Sequence, residues 1–281
     1  MILAGDLGGT KTLLGLFDDA TPRPAPLVVR SFSTPSFPDL TAMISAFAED
    51  PAVRGREVRS ACFGVAGPVL ARTASLTNVD FTIDADAVGR AFTIPRVRLL
   101  NDLEAMAWSV RVLAGEEIAV LQQGTRHAGG NLALIAAGTG MNEALIHHID
   151  GAFIPSAAEA GHSDWAARTD REILLLRSLT ERFGRAEVEH VLSGPGLTNI
   201  HRVTHDGDCL AVDDIEAADA PAAISAAALT RRCQGCIDAL QMFVDAYGAQ
   251  AGNLALRTMA TGGLFIGGGI APKILPRLQD G

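Results

Sequence analysis

Between the two apolar runs of "ILAGDLGGTKTLLGLFD", residues 2–18, stand Asp6, Gly8, Gly9, Thr10 and Lys11. Consecutive backbone N–H groups in a glycine turn form an anion-binding concavity, and glycine admits phosphate oxygens where a Cβ would collide. A carboxylate closing the strand beside that turn is placed to hold a hydrated Mg²⁺ against phosphate. A plain hairpin accounts for the glycines but has no use for Asp6. The pattern returns in "LALIAAGTGMNEALIHH", residues 132–148, where Gly138, Thr139 and Gly140 separate two apolar runs. Either turn alone is an ordinary hairpin signal; two of them, a domain's length apart, suggest a duplicated architecture in which both turns face one ligand.

Three further groups have the residue types for work on a hydroxylated substrate. In "LLNDLEAMAW", residues 99–108, Asn101 and Asp102 stand where an apolar strand passes into a helix. Either residue serves as an N-cap, with Glu104 completing a capping-box variant around Asn101; equally, Asp102 is placed to accept a substrate hydroxyl proton during phosphoryl transfer. In "SAAEAGHSDW", residues 156–165, Glu159 and His162 have the Glu-x-x-His spacing of di-iron bundles, but no second copy exists; a carboxylate and an imidazole on one loop also suit sugar hydroxyls. Glu189, in "EHVLSGPG", ends a short helical run before a Gly194-Pro195-Gly196 break, and in isolation reads as an exposed surface acid. Gly262 and Gly263, in "TGGLFIGGGIAPKIL" (261–275), open a glycine-flanked strand against which an adenine or ribose could lie. Cys233 and Cys236 form a C-x-x-C pair inside a long helical pattern; with neither a second such pair nor a nearby histidine, two packed helical thiols are expected.

Periodicity indicates the framework that holds these residues. Strands are expected at 2–7, 12–17, 27–32, 58–65, 97–101, 118–122, 132–137, 143–148 and 264–267, and helices at 38–49, 102–113, 170–183 and 221–250. A chain of 281 residues, 48% hydrophobic, is long enough for two α/β domains. The formal net charge of -9 and the lack of any basic stripe argue against nucleic acid and anionic membrane as partners. Four cysteines make no disulfide framework and no apolar run spans a bilayer, so a cytoplasmic protein is expected. Lys11 and Lys273 are the only lysines, so a polyanion would be neutralised by backbone N–H groups, arginine or a metal ion.

Taken in order, "GDLGGTKT", "AGPV" (66–69), "TN" (77–78), "LNDLEA", "AAGTG", "EAGH", "EHVLSGPGL" and "GGLFIGGGIAPK" resemble the bacterial glucokinase family, of the non-repressor type, within the hexokinase, actin and heat-shock ATPase superfamily. The resemblance spans nearly the whole chain. It implies an α/β, two-domain actin-like ATPase (ribonuclease H-like) fold with an interdomain cleft, divided into residues 1–110 and 111–281. It implies ATP-dependent phosphorylation of D-glucose on its 6-hydroxyl, with ATP and Mg²⁺ bound and the cleft closing on glucose to exclude water. Asn101, Asp102, Glu159, His162 and Glu189, with Asn78, would hold the sugar, and Asp102 would also be the base. Asp6 would hold Mg²⁺ through water. Gly8, Gly9, Thr10, Lys11, Gly138, Thr139, Gly140, Gly262 and Gly263 would contact the nucleotide.

The sequence departs from the family pattern at Asn142 and Ala160, where glycine is usual, and Asn142 is expected to tolerate a left-handed backbone there. Family members also continue beyond "GGGIAPK" to a helix that returns to the first domain, whereas this sequence stops at Gly281, which would affect the adenine pocket. The second reading, from another class, is therefore a sugar-binding relative without productive ATP binding. Assembly is open between a single chain and a homodimer.

Overall fold

The computed structural model describes residues 1–21, 23–76, 81–205, 207 and 209–280. The chain divides into two units, Met1–Glu117 and Ile118–Gly281.

In the first unit the elements run β1 (Ile2–Leu7), β2 (Lys11–Phe17), β3 (Pro26–Ser33), α1 (Leu40–Ala48), β4 (Ser60–Val65), β5 (Val69–Leu70), β6 (Thr73–Ser75), β7 (Thr82–Asp84), α2 (Ala85–Phe92), β8 (Arg96–Asn101) and α3 (Asp102–Ser109). Five strands form one sheet in the order β3-β2-β1-β4-β8, and β5, β6 and β7 form a small separate one. β1 pairs antiparallel with β2, from Ile2 opposite Phe17 to Leu7 opposite Thr12. On its other side β1 runs parallel to β4, which runs parallel to β8. The carboxyl ends of β1, β4 and β8 therefore lie along one edge, the usual place for a ligand in an α/β sheet. Alternation along β2 buries Thr12, Leu14 and Leu16 against a core that includes Phe47 and Phe63. Asp39 accepts a hydrogen bond from Ala42 N at 2.8 Å and so starts α1.

The second unit repeats the plan. Its elements are β9 (Leu132–Ala137), β10 (Met141–Ile149), β11 (Ala152–Ala158), α4 (Asp170–Phe183), α5 (Gly194–Thr204), α6 (Ala220–Leu229), α7 (Gln234–Thr258), β12 (Gly263–Gly267) and α8 (Leu275–Gln279). The sheet order is β11-β10-β9-β12, again with an antiparallel hairpin on one side of the first strand and a parallel return on the other. The echo between 2–18 and 132–148 is thus an echo of topology.

Four expectations are corrected. The 118–122 run forms no strand; Ile118, Val120 and Leu121 remain exposed with no sheet to join, because strand propensity without a paired neighbour has nothing to stabilise it. The helix expected across 221–250 is two helices, interrupted at Thr230–Arg232. Gly194-Pro195-Gly196 is the first turn of α5, since proline needs no N–H partner there and Ser193 Oγ accepts from Gly196 N at 2.9 Å. Asn142 lies within β10, and its backbone is not among the left-handed positions.

Helix α7 buries Ala239, Leu240, Phe243, Tyr247, Ala251 and Leu254, a stripe at helical spacing that faces the second sheet's core. It also satisfies a buried charge. Glu143 on β10, 2% exposed, accepts from Gln250 Nε2 and from Arg257 Nη2, both at 2.7 Å. No helix among the described residues is long and apolar enough to cross a membrane. Removing Arg257 leaves that carboxylate without its cation. Arg257→Met is expected to lower stability by about 2 kcal/mol, below the full cost of an unpaired buried charge because the arginine side chain is half exposed. Urea unfolding followed by circular dichroism measures it, and Glu143→Gln in the same chain should restore part of the loss.

Candidate functional site

In the first unit the site residues gather at the carboxyl edge of the parallel strands. β1 brings Asp6, and the β1–β2 turn brings Gly8, Gly9, Thr10 and Lys11. Gly8 N–H donates to Lys11 O at 3.1 Å, closing the turn. Below it, Thr34 Oγ1 donates to Gly8 O at 2.7 Å and meets Thr12 Oγ1 at 2.9 Å, while Thr34 N–H donates to Thr10 O at 3.0 Å. Thr12 and Thr34 are wholly buried, so the turn rests on a fixed polar floor. Neither is singled out by the sequence; the signal for Thr12 is the second threonine of "TKT", and Thr34 carries none beyond the proline after it.

Asp6 stands exposed at the end of β1, and partial desolvation by the protein around it pushes its carboxyl up. That environment disfavours a bare carboxylate and fits a cation as its partner. β8 ends in Asn101, whose Oδ1 accepts from Leu103 N at 3.0 Å and whose Nδ2 donates to Gly67 O at 3.3 Å. Asn101 is therefore the N-cap of α3, and Asp102 is its first helical residue, exposed, with Oδ1 accepting from Leu103 N at 2.8 Å. Glu104 bonds Arg98 instead of reaching back to the cap. Asn78 lies outside the described residues.

In the second unit Glu159, His162, Glu189 and the Gly138–Gly140 turn come together. Glu189 Oε2 accepts from Met141 N at 2.9 Å, and Glu189 N–H donates to Gly161 O at 2.9 Å. A Cβ on Gly140 would stand 2.5 Å from Glu189 Oε2, and one on Gly161 would strike Met141 O. Only glycine at both positions lets this carboxylate sit under the turn. Asn142 joins the same cluster: its Nδ2 donates to Glu159 Oε2 at 2.7 Å and its Oδ1 accepts from Ala160 N at 2.8 Å. The asparagine thus holds the glutamate's loop to β10, a role that sequence reasoning missed. Glu187 was missed too; its Oε2 lies 2.9 Å from His162 Nδ1, which leaves Nε2 as the imidazole's outward polar atom.

The Gly138–Gly140 turn is also held from behind. Gly138 N–H donates to Gly140 O at 2.7 Å and Gly194 N–H donates to Gly138 O at 2.8 Å, so the start of α5 abuts the turn. Beside them opens a cavity of about 930 Å³ whose lining includes Thr139, Ser193, Asn199, Arg202, Gly269 and Lys273. A helix N-terminus, three cationic side chains (Arg182, Arg202 and Lys273) and a glycine turn on one cavity make an anion-binding environment. Gly262 and Gly263 are not part of it. They stand at the opposite end of β12, where Gly262 N–H donates to Asn131 O at 2.9 Å; β12 runs parallel to β9, so its carboxyl end is the one that reaches the cavity. Ile270 N–H donates to Ala137 O there, at 3.2 Å.

The His162–Glu187 pair has a defined pH window. Hydrogen bonding to Glu187 raises the His162 pKa above its ordinary 6.5, and bonding to His162 lowers that of Glu187 below 4.5. For the histidine the contribution is full below 6.5 and fades as pH rises through the raised value; for the glutamate it is full above 4.5 and fades as pH falls through the lowered value. The contact is strongest between the two. An NMR titration should place the His162 midpoint above 6.5, and Glu187→Gln should return it to about that value.

The Glucokinase family profile matches residues 3–281. The glucokinase of Synechocystis sp. is 36% identical over 306 residues, covering 99% of this chain and 86% of that protein. Among solved structures, the glucokinase of an Antarctic psychrotroph gives a TM-score of 0.85 at 29% identity, over 99% of this chain and 86% of the other. A ROK family glucokinase from Streptomyces griseus, in complex with glucose and AMPPNP, gives 0.61 at 21% identity over 99% and 87%. With the repeated strand order, these likenesses identify the two-domain actin-like ATPase fold. A profile match over nearly every residue, and a relative 36% identical across 99% of the chain, mean that this chain belongs to the glucokinase family.

Proposed function

We propose that this chain is a glucose kinase, transferring the terminal phosphoryl group of ATP to the 6-hydroxyl of D-glucose. Family membership over the full chain carries the reading, and the solved relative in complex with glucose and AMPPNP supports both substrates. The reading of a sugar-binding relative without catalysis finds no support.

Asp102 is the base. With Asn101 serving as the cap, the Asp102 carboxylate stands exposed at the strand edge, with one oxygen fixed by Leu103 N–H. Its task is to take the proton from the 6-hydroxyl as the new P–O bond forms. Glu159, His162, Glu189 and Asn101 orient the sugar through its hydroxyls. Lone pairs on three carboxylates, counting Asp102, and the Nε2 atom of His162 match a ring of alternating donors and acceptors. Thr139, Arg202, Lys273 and the start of α5 bind the nucleotide in the second unit, while Gly8, Gly9 and Thr10 contact its terminal phosphate. Asp6 would hold Mg²⁺, and the ion would supply positive charge against the negative charge on the transferring phosphoryl oxygens. Positioning and charge neutralisation, rather than covalent chemistry, furnish the rate.

Glucose-dependent ADP release in a coupled assay tests the activity; its absence with glucose, ATP and Mg²⁺ present would refute it. Asp102→Ala should lower kcat by at least ~10²-fold, while glucose affinity changes less because the other sugar contacts persist. Near-full kcat in that variant would reassign Asp102 to the helix terminus. Asn142→Ala should raise KM for glucose about tenfold with a smaller change in kcat, since Glu159 loses a donor worth ~1–1.5 kcal/mol. An unchanged KM would remove the asparagine from sugar positioning.

A further inference from the structure

The interruption between α6 and α7 gathers sulfur. Arg231 takes a left-handed φ of 55°, and Cys233, with φ −145°, becomes the extended N-cap of α7. Cys233 and Cys236 therefore stand on the first turn of a helix, and not midway along one as periodicity suggests. Cys209, from the loop after α5 and 24 residues before Cys233, meets them there: its Sγ lies 3.7 Å from Cys233 Sγ and 3.7 Å from Cys236 Sγ. All are free thiols, and a disulfide would need ~2.05 Å. Three thiolates bonded at ~2.3 Å to one tetrahedral ion stand ~3.8 Å apart. The observed spacing is that of a ligand set.

An imidazole stands beside it. His205 closes α5, and its ring nitrogen lies within 4.8 Å of Cys209 Sγ, the thiol that the two groups share. Its Nδ1 is 3.2 Å from Gly207 O, so the proton sits on that nitrogen and Nε2 presents its lone pair, the usual arrangement of a metal-binding histidine. Gly235, between the two cysteines, makes the approach feasible, for a Cβ there would lie 2.5 Å from His205 Cδ2. One turn earlier His201 stacks on His205 at 4.9 Å; it is buried, and its Nε2 has no hydrogen-bond partner. The ligand atoms of His201, His205 and Cys209 lie within 4.8 Å of one another, as do those of Cys209, Cys233 and Cys236.

We propose that Cys209, Cys233 and Cys236 bind one Zn²⁺ in a closed structural site, with His205 drawn in from beside Cys209 as the fourth ligand. Three soft thiolates with one imidazole select zinc over the hard divalent cations. A recess of about 410 Å³ lined by His205 and Cys233 gives the ion a route from solvent. The ion would fasten the loop after α5 to the head of α7. That loop continues to Ile215–Ala218, which line the large cavity, and Arg202 pairs with Glu216 at 2.5 Å. The zinc thereby braces one wall of the cavity from outside it.

Purified chain, reconstituted under reducing conditions with Zn²⁺ and freed of excess, should carry one equivalent by mass spectrometry. Co²⁺ in its place should show the intense d–d bands of a tetrahedral thiolate site and a charge-transfer band of three thiolates. Cys62→Ser should keep the metal; Cys209→Ser and Cys233→Ser should lose it, and His205→Ala should weaken it at least tenfold. A strong chelator should lower Tm of the wild type and leave four titratable thiols on denaturation. Failure of the wild type to retain Zn²⁺ or Co²⁺ stoichiometrically would overturn the site without needing any variant to fold. Two thiols instead of four would reveal a disulfide and overturn it equally. Metal lost in His201→Ala but kept in His205→Ala would overturn the fourth ligand.

Discussion

The carboxyl ends of parallel strands are where this chain's backbone runs out of partners, and most of its polar design answers that constraint. Where β1, β4 and β8 stop, their last carbonyls and the first N–H groups of the next segment must bond to something. Ala66 N–H turns back to Leu7 O at 3.0 Å, Asn101 bonds Gly67 O, and Thr34 braces Gly8 O. The same logic holds where β9 and β12 end, with Gly194 N–H on Gly138 O and Ile270 N–H on Ala137 O. Each edge becomes a rigid shelf of small residues. Functional side chains stand on the shelf because it cannot sag.

A chain with two lysines needs other means for phosphate, and on the function proposed above the second unit would supply them with geometry. The start of α5 contributes the positive end of a helix, its N–H groups held by Gly138 O and by Ser193, and Ser193 and Pro195 shape that end without adding charge. Arg202 is itself held, donating from Nη1 to Asn199 Oδ1 at 3.1 Å and pairing with Glu216. A guanidinium fixed on two sides loses less freedom on meeting an anion than a lysine ammonium would. Fixed partial charges replace mobile full ones.

How much of this was readable in advance depended on whether the deciding interaction was local. The strand–turn–strand stretches were readable because alternation and glycine act within a few residues, and helical periodicity placed α4 at its observed bounds, 170–183, where Thr169 caps it. The Gly-Pro-Gly of α5 misled because composition alone reads as a break, whereas Ser193 before it and proline inside the first turn make a helix start. The break at Thr230–Arg232 was hidden by alanine-rich helical composition on both sides. Asn142, Glu187, Cys209 and His205 were invisible for a different reason. Each works through a partner far along the chain, and no spacing rule reaches that distance.

The seat of Glu189 beneath Gly140 ties the history of two distant positions together. A methyl group at 140 would evict the carboxylate, and an evicted carboxylate would strand Met141 N–H. The two positions are coupled: a side chain at 140 would push the flexible end of Glu189 off its seat, and the carboxylate could give way only by leaving Met141 N–H. The turn's backbone and the acid's reach are thus one joint specification, written 49 residues apart in the sequence.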